Sequence, residues 1–115
     1  MLHVTPAMME AAYEFLRCFP PFKGWRLPHA DEIEFRVSAE AHLCGLYEQI
    51  SDKHRISVSA TTTVQTDSLI KVMAHEMIHL YQSLHYTDQG PEHNEQFHKL
   101  AKGICRRHGF DPGLF

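Results

Sequence analysis

The residues with the clearest chemical potential are two histidines and a glutamate within five positions, His75-Glu76-Met77-Ile78-His79. Residues four apart lie on one face of an α-helix, one turn from each other. The two imidazoles could therefore ligate one Zn²⁺ ion at about 2.0–2.1 Å. Glu76 would then lie beside the metal, where its carboxylate can take a proton from a water molecule. This arrangement is typical of a zinc-dependent peptidase with Glu76 as general base.

The surroundings of the motif favour a metal site over a chance match. The chain has ten histidines, so two of them could fall on a core helix by accident. However, the motif lies among apolar residues such as Val72, Met73 and Leu80. Three polar side chains in that environment need partners, and a bound cation would provide one.

A catalytic zinc site usually has three protein ligands and an open fourth position. His85 has the ligand spacing of metzincins, but on a helix continuing through Gln82 it lies about 600° and 9 Å beyond His79. Glu92 or Glu95 could supply a carboxylate ligand instead. Glu95 falls about 160° from the apolar face of the last helix, on the solvent side. Glu92 precedes that helix and stays open as a ligand.

His93 fits the third position best. It lies four residues before Phe97, about 40° from the centre of the apolar face of the last helix, and points towards the motif helix. His98 lies at about 100°, on the flank of that face. His108 is three to four turns away, where a helix-end histidine interacts with the negative pole of the helix. The predicted metal ligands are therefore His75, His79 and His93.

Three helices are predicted around this site. Thr5-Pro6 is an N-cap followed by a first-position proline, and begins a helix that runs to about Phe19. Thr66 or Asp67 caps the motif helix, which runs to about Tyr86. A last helix spans about His93 to His108 and ends at Gly109. The apolar face predicted for the first helix consists of Met8, Ala12, Phe15, Leu16 and Phe19.

Three short strands are predicted between the first two helices. They cover Glu34–Ser38, His42–Gln49 and Arg55–Ser59, where polar and apolar or β-branched residues alternate. The polar turn at residues 51–54 predicts a hairpin between the last two. We expect a small three-stranded antiparallel sheet with the first strand at its edge, in a single α+β domain over residues 1–115.

The motif segments together resemble the SprT-like metalloprotease domain. The resemblance rests on His75-Glu76-Met77-Ile78-His79, on His93 followed four residues later by Phe97, and on the strand segments around Gly45 and Arg55, over roughly residues 5–110. It implies a zincin-like mini-protease fold, with zinc on His75, His79 and His93, with Glu76 as general base, and with protein or peptide substrates. Many members have glycine where this chain has Asn94, which we expect to face solvent from the second helical position.

Composition limits the partners of such a domain. The net charge of −3 argues against a strongly basic nucleic-acid surface. The resemblance nevertheless leaves a DNA partner open, because some members act on proteins crosslinked to DNA. The last helix also has a basic side, formed by Lys99, Lys102, Arg106 and Arg107. No apolar run approaches the ~20 residues of a membrane span.

The cysteines and the N-terminus predict a cytoplasmic protein. Cys18, Cys44 and Cys105 contain no Cys-x-x-Cys pair and form neither a disulfide framework nor a zinc ribbon. The first residues lack the pattern of a signal peptide. The alternative function is a non-catalytic zinc-stabilised binding module. A third candidate is a DNA-associated accessory protein. Tyr81 and Tyr86 are candidates for stabilising an oxyanion, although each is more often a packing residue.

Overall fold

A computed structural model describes residues 3–39, 44–60, 66–85 and 93–115. These described residues form three helices and one three-stranded sheet, so the predicted α+β class is confirmed. Short 3₁₀ turns occur at Phe22–Gly24, Ala30–Glu32 and Pro112–Leu114. The main elements are α1 (Pro6–Arg17), β1 (Ile33–Ser38), β2 (Gly45–Ile50), β3 (Lys53–Ser59), α2 (Thr66–His85) and α3 (Glu95–His108).

Helix α1 begins as predicted but ends earlier. The Thr5 hydroxyl accepts a hydrogen bond from the backbone N–H of Met8, and Pro6 is the first helical residue. The helix ends at Arg17, because Phe19 precedes a proline and is disfavoured in helical conformation. The predicted apolar face was partly wrong, since Phe15 and Phe19 are 51% and 46% exposed. The buried face consists of Met9, Ala12, Tyr13 and Leu16.

The sheet has the order β1-β3-β2 and is mixed. Strands β2 and β3 form the predicted antiparallel hairpin, with Ser51 at a φ of 58° in its turn. Strand β1 lies at an edge as predicted, but it pairs parallel to β3, with Phe35 opposite Ile56. The prediction of a fully antiparallel sheet was therefore wrong in this detail. The predicted strand residues His42 and Leu43 lie outside the described residues.

The length of the connection permits the mixed sheet. Six residues separate Ser38 from Gly45. Two strands separated by a third lie about 9.6 Å apart, and six residues easily span that distance. The chain therefore reverses direction after β1 and leaves space for β3, whose β-branched Ile56 and Val58 are completely buried. The most hydrophobic strand thus takes the central position.

All three helices lie on one side of the sheet, with α2 in the centre. Helix α2 packs on β2 and β3, α1 packs on β1 and α2, and α3 packs on α2. In the part of the chain that the structure describes, no helix is long and apolar enough to cross a membrane. The core of α2 consists of Leu69, Met73, Ala74, Met77, Ile78 and Leu80.

Helix α3 starts two residues later than predicted. Its first residue is Glu95, and Asn94 is the N-cap, whose side-chain oxygen accepts from the backbone N–H of Phe97 at 2.9 Å. The expectation that Asn94 would face solvent from inside the helix was therefore wrong. His93 precedes the cap and belongs to the connection between α2 and α3. The helix ends at Gly109 as predicted, with a left-handed φ of 77°.

Candidate metal centre

Three imidazoles converge where α2 meets the start of α3. His75 and His79 lie one turn apart on α2, with ring centroids 5.3 Å apart. The ring of His93 lies 5.0 Å from that of His75 and 5.2 Å from that of His79. One ring nitrogen from each residue lies within 4.8 Å of the others. The sequence prediction selected these three histidines, and the structure brings them together.

The orientation of His75 leaves its Nε2 atom available to a metal ion. Its Nδ1 lies 2.9 Å from the backbone carbonyl oxygen of Phe115. Because a carbonyl oxygen can only accept, Nδ1 donates and Nε2 of the neutral ring keeps its lone pair. Metal-ligating histidines commonly have such a carbonyl partner, which fixes the tautomer and the ring orientation.

The spacing of the His75 and His93 nitrogens fits a tetrahedral zinc site. Nε2 of His75 lies 3.2 Å from Nε2 of His93. Two nitrogens bound tetrahedrally at 2.0–2.1 Å lie about 3.3–3.4 Å apart. A set of three neutral imidazoles is also a common catalytic ligand set for zinc. The three side chains could therefore hold a zinc ion, once ring nitrogens that lie within 4.8 Å of one another close to this spacing.

Burial keeps His79 neutral. Desolvation lowers the pKa of His79 to about 4, and the neighbouring His75 and His93 lower it in the same direction. A neutral imidazole has the lone pair that a metal ligand needs. At neutral pH His79 is thus ready to coordinate a cation without first losing a proton.

The ring of Phe97 forms the wall behind the three histidines. Its centroid lies 4.9 Å from the ring of His75, 4.8 Å from that of His79 and 4.5 Å from that of His93. Phe97 is 3% exposed. It therefore contacts all three rings from the protein side.

A buried amide links α2 to the residues that follow His93. The side-chain nitrogen of Gln82 donates to Asn94 Oδ1 at 3.0 Å and to Gln96 Oε1 at 2.9 Å. Gln82 is 2% exposed, so these bonds are shielded from competing water. The sequence analysis used Gln82 only to argue that α2 continues. A glutamine within the apolar stretch of α2 was the signal that a polar partner exists.

Glu76 is 5% exposed and lies beside Gly45, the first residue of β2. A Cβ atom added to Gly45 would lie 2.6 Å from Cγ1 of Val72 and 3.1 Å from Oε2 of Glu76. Any larger residue at position 45 would therefore displace one of these side chains. The sequence analysis noted Gly45 without this role, although glycine in a strand often marks a close backbone approach.

The other candidate ligands that the structure describes lie outside this cluster. His85 is exposed and packs its ring 4.6 Å from that of Tyr81. His98 and Glu95 are exposed on α3. His108 Nε2 lies 2.9 Å from the carbonyl oxygen of Pro20, at the other end of α3. Glu92 and Tyr86 lie outside the described residues.

Tyr81, one of the two candidates for oxyanion stabilisation, is half-buried. Its ring lies 4.5 Å from that of Trp25. This contact ties α2 to the connection that follows α1.

Comparison with known proteins gives one match. The family model described as the SprT-like family matches residues 16–112 of the chain, which include β1 to β3 and all the residues of the histidine cluster. No curated protein and no solved structure matches the chain.

Proposed function

Because the chain belongs to the SprT-like family, we propose that it is a zinc-dependent metallopeptidase that hydrolyses peptide bonds with Glu76 as general base. The convergence of His75, His79 and His93 within 4.8 Å carries this proposal. A buried carboxylate, that of Glu76, adjoins the cluster on the same helix. Residues 75–79 would thus supply the base and two metal ligands, and His93 would supply the third ligand.

Each residue of the site has a distinct task in this proposal. His75, His79 and His93 hold the zinc ion through ring nitrogens. When bound, the ion lowers the pKa of a water molecule and polarises the carbonyl group of the substrate. Glu76 accepts a proton from the attacking water at a carboxylate oxygen and delivers it to the nitrogen of the leaving amine. Gly45 leaves the space in which the Glu76 side chain lies.

The substrate proposed is an extended stretch of polypeptide. Within the described sheet β2 pairs only with β3, so its other edge presents backbone N–H and C=O groups. The first residue of β2 is Gly45, next to Glu76. A peptide added along this edge would bring its backbone past the metal centre. This geometry favours unfolded segments over folded domains.

A single substitution tests the proposed function. Glu76→Gln keeps the size of the side chain but removes the proton acceptor, so zinc content and folding should stay close to wild type. Hydrolysis of an unfolded protein such as reduced casein should fall about 10²–10⁴-fold. Glu95→Gln is the matched control, since Glu95 is exposed at the start of α3, and it should keep wild-type activity. Gel digestion and zinc analysis measure both properties.

A parallel series with single-stranded DNA covers the partner that the family resemblance leaves open. Lys99, Lys102 and Arg106 are exposed along α3 and would be the contacts. Equal cleavage by wild type and Glu76→Gln would rule out Glu76 as the base. A zinc-loaded wild type that cleaves nothing, with or without DNA, would favour the alternative function of a non-catalytic zinc-stabilised binding module.

A further inference from the structure

A cavity of about 220 Å³ opens next to Glu76, between the start of β2 and the first half of α2. At about 30 Å³ for each water molecule, it has room for roughly seven waters, or for one medium-sized side chain. Cys44 and Gly45 border the cavity on the side of β2, and it shares His75 and Glu76 with the metal centre. Its remaining lining residues are Ser68, Lys71, Val72 and Phe115.

Lys71 brings a positive charge to this cavity, whose lining also includes the Glu76 carboxylate. It lies four residues before His75, hence one turn away on the same face of α2. It is half-buried, and within the described ranges of the chain it forms no ion pair. Ser68 lies in the first turn of α2, where the positive pole of the helix adds to the charge of Lys71. The cavity thus combines a cation and a hydroxyl at one end.

Val72 and Phe115 add apolar surface to the lining of the cavity. Val72 is half-buried on α2, and the Phe115 ring lies 5.5 Å from that of His75. A short chain of methylene groups ending in a carboxylate matches this distribution. The methylenes would contact Val72 and Phe115, and the carboxylate would accept hydrogen bonds from Lys71 and Ser68.

We propose that this cavity, which we name the Lys71 pocket, binds an acidic side chain of the substrate, glutamate in particular, next to the bond that is cleaved. The substrate part of this proposal rests on the proposed peptidase function. The preference of the pocket for anions rests on Lys71, Ser68 and the helix start, and it can be measured without hydrolysis.

Cys44 is a reporter inside the pocket. Cys44 and Cys18 are both exposed, but only Cys44 lines the pocket. Cys18 lies at the end of α1 and serves as the internal reference. Zinc-loaded protein is treated with two methanethiosulfonate reagents, one with a sulfonate and one with a trimethylammonium group, and each cysteine is followed by peptide mass spectrometry. Relative to Cys18, Cys44 should favour the anionic reagent. Lys71→Met should abolish this preference, and Lys71→Glu should reverse it. Wild type and both variants should behave in the same way after zinc has been removed by a chelator.

Peptide substrates test the specificity directly. Three series place Glu, Gln or Lys at each position flanking one cleavable bond in an otherwise identical unfolded peptide. At one flanking position kcat/KM should be about tenfold higher for Glu than for Gln, as expected of a half-buried charged hydrogen bond. Lys71→Met should reduce this ratio to about one. The matched control is Lys23→Met, because Lys23 is exposed in the 3₁₀ turn at Phe22–Gly24, and it should keep the wild-type ratio.

The outcomes separate this inference from the proposed function. Suppose that cleavage depends on Glu76, but kcat/KM is no higher for Glu at any position and the reagent preference of Cys44 is unchanged in the Lys71 variants. The inference is then wrong and the peptidase function stands. If the Cys44 preference follows Lys71 but no peptide is hydrolysed, the anion preference stands and the peptidase function fails. If single-stranded DNA protects Cys44 from modification and a Glu-containing peptide does not, the pocket binds a phosphate backbone and the proposal is overturned.

Discussion

On α2, helix geometry alone fixes His75 and His79 relative to each other, whereas His93 reaches the cluster from the connection that precedes α3. The two α2 histidines are half-buried, and His93 is exposed. His93 depends on contacts made by its neighbours: the Asn94 cap, the buried Gln82 amide and the Phe97 ring. One half of the site is therefore local in sequence, and the other half requires tertiary packing.

Phe97→Ala should have the largest effect, because this ring supports both halves of the site. Removing a buried phenylalanine side chain costs about 3–5 kcal/mol of the free energy of unfolding, and all three imidazoles lose their wall. Urea denaturation of the metal-free protein measures the stability. Leu100→Ala is the control, since Leu100 is only half-buried on the same helix, and it should cost clearly less. If both variants lost the same free energy of unfolding, Phe97 would contribute no more to the core than Leu100 does.

Ligand substitutions test whether the two halves contribute equally to metal binding. His79→Ala and His93→Ala should each weaken zinc binding more than about 100-fold, since loss of a ligand exceeds the 10–100-fold effect of losing an outer partner. Competition with a chromophoric chelator measures the affinities. His85→Ala and His98→Ala are controls outside the cluster and should leave zinc affinity unchanged. If His85→Ala released the metal, His85 would replace His93 as the third ligand.

Gln82→Leu should affect only the half that depends on packing. The substitution removes the donor to Asn94 and Gln96, so His93 loses its fixed position and zinc affinity should fall about tenfold. Ser83→Ala, one residue further along α2, removes a hydrogen bond to Gln49 that is exposed and should change little. Comparable effects of the two variants would show that the Gln82 amide does not position His93.

Acidification should act on the α2 half. The pKa of His79 is about 4 in the folded chain and 6.5 in the absence of burial. As the pH falls from 6.5 to 4, the unfolded chain takes up a proton at His79 that the folded chain excludes, so metal-free protein loses stability over this range. Discounted for solvent screening of a half-exposed ring, the loss is about 1 kcal/mol. Urea denaturation at pH 7.5 and pH 5 measures this loss. If His79→Gln lost as much stability between these two pH values as wild type does, the loss would not come from His79.

The difference between the two halves also explains what the sequence could predict. The pairing of His75 with His79 follows from the 3.6-residue period of a helix. Local signals of the same kind predicted the Thr5 cap, the hairpin turn and the end of α3 at Gly109. The structure also brings His93 into the cluster, although the sequence analysis treated it as a helical residue and the structure places it before the Asn94 cap.

Features that join distant parts of the chain were not predictable in this way. The carbonyl oxygen of Phe115 contacts His75 across forty residues, and no local pattern indicates such a bond. The parallel pairing of β1 depends on where β3 inserts, which strand propensities do not specify. The close approach of Gly45 to Glu76 depends on how the sheet packs on α2. The sequence shows a glycine there, but it does not show which side chain fills the space.

The strand order has a consequence for synthesis of the chain. The central strand β3 is the last of the three in sequence, so β1 has no partner for its backbone until residue 59 has been added. At about 5–20 residues per second, the 21 residues that follow Ser38 take roughly 1–4 s. Until β3 pairs with it, β1 exposes hydrogen-bonding groups together with Phe35 and Val37, which makes it a template for unwanted pairing between chains that have not finished folding. Of the three strands, β1 thus has the greatest need of chaperone protection while the protein is being made.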